Sequence, residues 1–137
     1  MAVDGESALH EWGNSLTSLV GSGRPLAKGF MRSRPRSPGR SCYATVAVDD
    51  TPDGLDAEGT TSAFGMTITV WSATDRESSR QAAVALVDEL RALSRNTPTV
   101  GSTRLLMAAP VGWPEVVEDD SGEFRHTVET TIYAAPA

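Results

Sequence analysis

Phe64-Gly65-Met66-Thr67-Ile68-Thr69-Val70-Trp71 is followed by Thr74-Asp75-Arg76-Glu77 and then by the apolar-rich run from Ala82 to Leu93. These neighbouring passages decide the fold class because they carry different periods. In the first, Phe64, Met66, Ile68 and Val70 alternate with Gly65, Thr67, Thr69 and Trp71, the period-two pattern of a strand with one buried face. In the second, Ala83, Leu86, Val87, Leu90 and Leu93 recur every three or four residues, the stripe of a helix with one buried side. Thr74 and Glu77 stand at the spacing at which each end of a capping box satisfies the other's free backbone N–H, so Thr74 is the expected cap of a helix over 75–94. Arg91 and Arg95 suit the negative end of its dipole, and Thr97-Pro98 forbids its continuation.

Upstream, Leu9, Trp12, Leu16, Leu19 and Val20 recur at spacings of three and four, which predicts a first helix over Ser7–Val20. Gly13 and Asn14 fall on its other side, and Gly21-Ser22-Gly23 with Arg24-Pro25 stops it. Residues 21–41 form a long connection containing Gly21, Gly23, Pro25, Gly29, Pro35, Pro38 and Gly39, and apart from the Phe30-Met31 pair no alternation survives in it. A connection of that length within one domain is usually functional or disordered. Alternation resumes over Cys42–Val48, the first expected strand, and residues 49–61 form an acidic, turn-rich loop. A third strand is expected over Thr103–Ala108, broken by Pro110 and Pro114, and Glu118-Asp119-Asp120-Ser121-Gly122 is an acidic turn. A fourth runs from Phe124 to Ala134, with Phe124, His126, Val128 and Ile132 on one face. The order α-β-β-α-β-β, in one domain spanning 1–137, predicts an α+β fold: a four-stranded, antiparallel-rich sheet with two helices packed on one face.

The chain has 137 residues, 39% of them hydrophobic and 22% charged, an ordinary globular composition that can hold a core without staples. No run approaches the roughly 20 apolar residues of a membrane helix. Asp4, Glu6 and Glu11 near the start, with no apolar stretch beside them, argue against a secretory signal and make the cell interior the expected compartment. A single cysteine, Cys42, allows neither an internal disulfide nor a multi-cysteine zinc site. The net charge of −6 is unevenly spread. Arg24, Lys28, Arg32, Arg34, Arg36 and Arg40 lie in a window without Asp or Glu from Trp12 to Val48, so this segment is +6 and the rest of the chain −12. A globally acidic chain is poorly suited to general nucleic-acid binding, but one basic segment suits contact with something acidic at a defined place.

Little in the sequence points to catalysis. Nucleophilic catalysis needs an activated nucleophile beside a base, and the chain has two histidines and no G-x-S-x-G elbow. His10 is expected on the surface of the first helix. His126 is expected as a partly buried, hydrogen-bonded structural residue rather than a catalytic base, and Cys42 as a small core residue. The acidic clusters at 49–53 and 118–120 lack the spacing of a calcium loop. Gly21-Ser22-Gly23 closes a helix where a phosphate cradle would open one, so the dipole has the wrong sign for an anion. The basic segment holds one aromatic, Phe30, too few for stacking along a single strand. No catalytic, metal or cofactor site is expected. The segment is either a solvated, flexible arm or a partner-binding arm, and association of identical subunits through edge strands and opposite charges is the expected activity.

The succession of passages also resembles a known family. The first helix, then Gly21-Ser22-Gly23-Arg24-Pro25-Leu26, then Arg34-Pro35-Arg36-Ser37-Pro38-Gly39-Arg40-Ser41-Cys42-Tyr43-Ala44 leading into the first strand, the strand ending at Trp71, the capped Ala-rich helix and a closing hairpin are similar to the tail terminator proteins of long-tailed, non-contractile bacteriophages (siphoviruses), particularly those of actinobacterial hosts. The resemblance spans nearly the whole chain. It implies a tail-terminator type of fold and a homohexameric ring that caps the tail tube, ends its polymerisation and forms the tail side of the head–tail junction in the neck of the virion. It implies assembly in the host cytoplasm, with the tail tube protein and a head-side connector as partners and DNA touching the lumen only in passage. It implies no reaction, no cofactor and no membrane. Arg24, Lys28, Arg32, Arg34, Arg36 and Arg40 then become the expected subunit- or tube-contacting residues. The alternatives are a head-side connector or stopper protein of the same junction and, further off, a small intracellular enzyme using His126.

Overall fold

A computed structural model describes residues 4–34, 41–48, 53–54, 61–117 and 123–137. In chain order its elements are α1 (Gly5–Asn14), β1 (Tyr43–Val48), β2 (Asp53–Gly54), β3 (Ser62–Ser72), α2 (Arg76–Arg91), α3 (Leu93–Asn96), β4 (Thr99–Val100), β5 (Thr103–Val111), β6 (Glu115–Val117) and β7 (Phe124–Pro136). The strands form one sheet in the order β1-β3-β7-β5-β4, with β2 also on β3 and β6 also on β7. Every pairing between named strands is antiparallel. The α+β class holds, and the four longest strands lie where alternation predicts them. The strand count does not hold: β2, β4 and β6 bring it to seven, each too short to show a period.

The centre of the sheet is the β3–β7 pair, in unbroken register from Ser62 opposite Ala134 to Ser72 opposite Phe124. Phe64, Met66, Ile68 and Val70 share the inner face with Val128, Ile132 and Ala134, and α2 lays Ala82, Ala83, Leu86, Val87 and Leu90 over them. Ala8, Leu9 and Trp12 of α1 join the same core, so both main helices pack on one side. Strand β5 runs past its expected end to Val111, and Pro110 is accommodated in a register shift between Ala108 and Val111, where the ladder does not use its missing N–H.

The helix ends differ from expectation for local reasons. At α2 the cap is Asp75, not Thr74: its carboxylate accepts the Ser78 N–H at 2.6 Å, while the Thr74 hydroxyl pairs with that of Ser72. Helix α1 stops at Asn14, six residues early, because Asn14 turns its amide onto the Phe30 backbone. Its Nδ2 donates to the Phe30 carbonyl at 3.1 Å and its Oδ1 accepts the Phe30 N–H at 2.7 Å. Gly13 is therefore not on an open side: a Cβ there would fall 2.3 Å from the Phe30 ring.

The largest departure is the long connection. Its first part is not a loose loop but a strap laid along the edge of β1. The Leu26 N–H donates to the Leu19 carbonyl, the Lys28 N–H to that of Cys42, the Ala44 N–H to that of Gly29 and the Met31 N–H to that of Ala44, at 2.8–3.1 Å. Leu26 and Phe30 are buried in the core. Two apolar side chains four residues apart and these backbone hydrogen bonds dock a segment whose glycines and prolines hide any period.

Candidate functional site

The outer face of the sheet, opposite the helices, carries a row built by strand register. Tyr43 of β1 lies opposite Trp71 of β3, which lies opposite Arg125 of β7. The Tyr43 and Trp71 rings stack with centroids 6.1 Å apart and an angle of 8° between their planes. The Arg125 guanidinium lies 5.0 Å from the Trp71 ring centroid and that of Arg34 only 4.1 Å from it. Glu123 closes the cluster, taking an ion pair from Arg34 at 2.7 Å and the Tyr43 hydroxyl proton at 2.9 Å. The Trp71 indole N–H donates to the Thr45 hydroxyl at 3.0 Å. Hydrogen bonding to Tyr43 and Glu123 pushes the Arg34 pKa further up, and burial pushes that of the Tyr43 phenol up. Cation–π contact plus a carboxylate holds an arginine in one place, so this cluster ties the end of the strap to the sheet.

The six expected contact residues therefore separate. Arg34 is bound to its own chain through Glu123 and Trp71. Arg32 donates to the Ser7 hydroxyl at 3.1 Å. Arg24 is exposed in the turn that follows Gly21 and Gly23, both of positive φ, and makes no hydrogen bond or ion pair among the described residues. Lys28 is exposed on the strap. Arg36 and Arg40 lie outside the described residues, as do the acidic stretches 49–52, 55–60 and 118–122.

A second aromatic was not anticipated. Trp113, between β5 and β6, is 60% exposed. It lines a cavity of about 290 Å³ together with Gly112, Pro114, Glu115, Thr127 and Glu129. Glu115 pairs with Thr127, and Glu129 follows two residues along the same strand, so both carboxylates belong to the face that Trp113 overlooks. Nothing in the spacing of Gly112-Trp113-Pro114-Glu115 marks this cluster. It is assembled by the antiparallel return of β7.

The two histidines are both inside. His126 is 4% exposed, and its Nδ1 lies 2.7 Å from the oxygen of the Ser79 hydroxyl, whose proton goes to the Arg76 carbonyl at 3.0 Å. Ser79 is fully buried, so a substrate would reach neither group without displacing α2. His126 is buried and hydrogen-bonded, in keeping with its place in the apolar period of the last strand. His10, expected at the surface, is also 4% exposed, with its ring edge-on to Phe30. The docked strap covers it. Burial lowers the pKa of both imidazoles, helped by Arg32 at His10 and by Arg76 and Arg80 at His126. Cys42 is a buried free thiol whose pKa burial raises. Among the described residues no group of three or more His, Cys, Asp and Glu is placed to hold a metal ion, and no helix is long and apolar enough to cross a membrane.

No family model and no curated protein matches the chain. Eight solved chains do match it in shape. One of them, which carries no functional name, aligns over 96% of this chain and 89% of its own length at 16% identity and a TM-score of 0.47. Those values assign no family.

Proposed function

We propose that this chain is a structural protein of a long-tailed, non-contractile bacteriophage. It forms a homohexameric ring that caps the tail tube, ends its polymerisation and makes the tail side of the head–tail junction. A tail-terminator type of fold is part of the same proposal. The observation that carries it is the docked strap: a basic surface held in fixed position on an otherwise acidic body. A rigid unit with opposite charges at separate places favours head-to-tail contact between copies, and such contacts close into rings when the rotation permits. The order of passages from the first helix through Pro25-Leu26 and Arg34–Ala44 to the closing hairpin points to the tail terminator among ring proteins.

On this reading the ring meets the tail tube protein on one side and the head-side connector on the other. DNA crosses the lumen in transient contact, and the ring catalyses no reaction and uses no cofactor. The chain is made and assembled in the host cytoplasm and ends in the neck of the virion. Fractionation of infected cells into free tails and filled heads tests the placement. Detection of the chain on finished free tails supports it. Detection on filled heads alone would reassign it to the head-side connector.

A further inference from the structure

Two tryptophans, Trp71 at 5% exposure and Trp113 at 60%, both stand at clusters that contain carboxylates. At Trp71 an arginine is held against the ring face at 4.1 Å while a carboxylate takes its other side at 2.7 Å. At Trp113 the ring is 60% exposed and two carboxylates, Glu115 and Glu129, line the same cavity. An indole face beside carboxylates selects a planar cation, since the ring quadrupole and the negative charge both favour it. None of the residues that line this cavity is a cation. Within the basic segment Arg32 and Arg34 are bonded to Ser7 and Glu123, while Arg24 stands exposed on its glycine-flanked turn with no hydrogen bond or ion pair among the described residues.

We infer that Trp113, Glu115 and Glu129 form a socket for an arginine side chain of a second copy of this chain, and that Arg24 supplies it. The occupied cluster at Trp71 shows the chemistry inside one molecule, and the exposed cluster repeats it between molecules. Charge complementarity fixes the partner: the strap is the basic part of the chain and the socket belongs to the acidic remainder. Donor and acceptor lie on different parts of one subunit, so the contact is heterologous and leaves a free donor and a free acceptor after each addition. The inference deepens the ring reading and rests on it only for the number of copies.

The test uses the full chain and two one-sided variants in sedimentation velocity at low salt. Arg24→Glu keeps the socket and loses the donor. Glu115→Lys with Glu129→Lys keeps the donor and loses the socket. The wild type self-associates and comes apart at high salt, as screened charges require. Each variant alone stays monomeric, and an equal mixture of the two recovers one-to-one complexes. Trp113→Ala weakens self-association about tenfold, and Trp113→Phe recovers most of it. A wild type that stays monomeric across the accessible concentrations, or variants that associate as the wild type does, would overturn the socket. Far-ultraviolet dichroism on each variant confirms that the fold is kept. Complementation of phage lacking the gene separates this result from the ring reading. Normal tails made with the double lysine variant remove the socket and leave the ring. Tails indifferent to the gene remove the ring and leave the sedimentation result to judge the socket.

Discussion

Trp71 and Trp113 occupy the same sheet system and lead different lives. Trp71 is 5% exposed, stacked on Tyr43 and covered by two guanidinium groups. Trp113 is 60% exposed and faces carboxylates. The difference is one of supply. Trp71 sits in the long β1–β3–β7 register, which brings Tyr43 and Arg125 beside it, and the strap delivers Arg34 on top. Trp113 sits where β5 gives way to β6, at the margin of β7, and shares its cavity with Glu115, Thr127 and Glu129. One tryptophan is covered by its own chain, and the other stands exposed.

The largest effect is expected at Trp71. Trp71→Ala removes a buried aromatic and is expected to cost about 3–5 kcal/mol of stability, read from denaturant unfolding. Trp113→Ala is expected to cost no more than about 0.5 kcal/mol. Equal effects at the two positions would erase the distinction drawn between them. A smaller effect is expected one step away, at the seat of the strap. Gly13→Ala drives a methyl group into the Phe30 ring and should cost about 1–3 kcal/mol. Amide exchange over residues 28–31 should accelerate with it, and unchanged exchange would mean that Phe30 does not anchor the strap.

The pH dependence follows from the two buried imidazoles. Their folded pKa values lie below the ordinary histidine value of about 6.5, so the neutral form is the one the fold stabilises. This stabilisation is full above about pH 6.5 and is lost as pH falls from there through the folded values, because the unfolded chain takes up the protons first. The lowered carboxylates of Asp4 and Asp75, each accepting the Ser7 or Ser78 N–H, act in the same direction but only nearer pH 4. Chemical denaturation from pH 7.5 to 5 checks this. His126→Gln should flatten the slope, and an unchanged slope would place the effect elsewhere. The smallest effect is expected at Arg34→Ala. This half-exposed ion pair and cation–π contact contribute below about 1 kcal/mol, visible as looser strap amides rather than as lost fold.

The contrast between the tryptophans also explains what could be read from the chain alone. Trp71 ends a run whose alternation is complete, and the stripe from Ala83 to Leu93 is equally regular, so the central strand and the main helix were legible. His126 was placed correctly because its neighbours at Phe124 and Val128 keep the period. The strap was not legible: Leu26 and Phe30 dock with no repeating neighbours, and the burial of His10 and the contact at Gly13 both follow from that docking. Arg34 could be singled out as charged, but its partner Glu123 is 89 residues away, a distance no local pattern spans. Glu115 and Glu129 meet across two strands for the same reason. Local order follows from periodicity, whereas the candidate surfaces come from pairings between distant parts of the chain.

On the proposed reading, copies of this chain cap a tail tube. Electron microscopy of particles assembled with and without the gene measures this directly, through the distribution of tail lengths. The account predicts overlong, irregular tubes beside filled, tailless heads when the gene is absent. Tails of normal length beside heads that fail to join them would contradict it and place the protein on the head side of the junction.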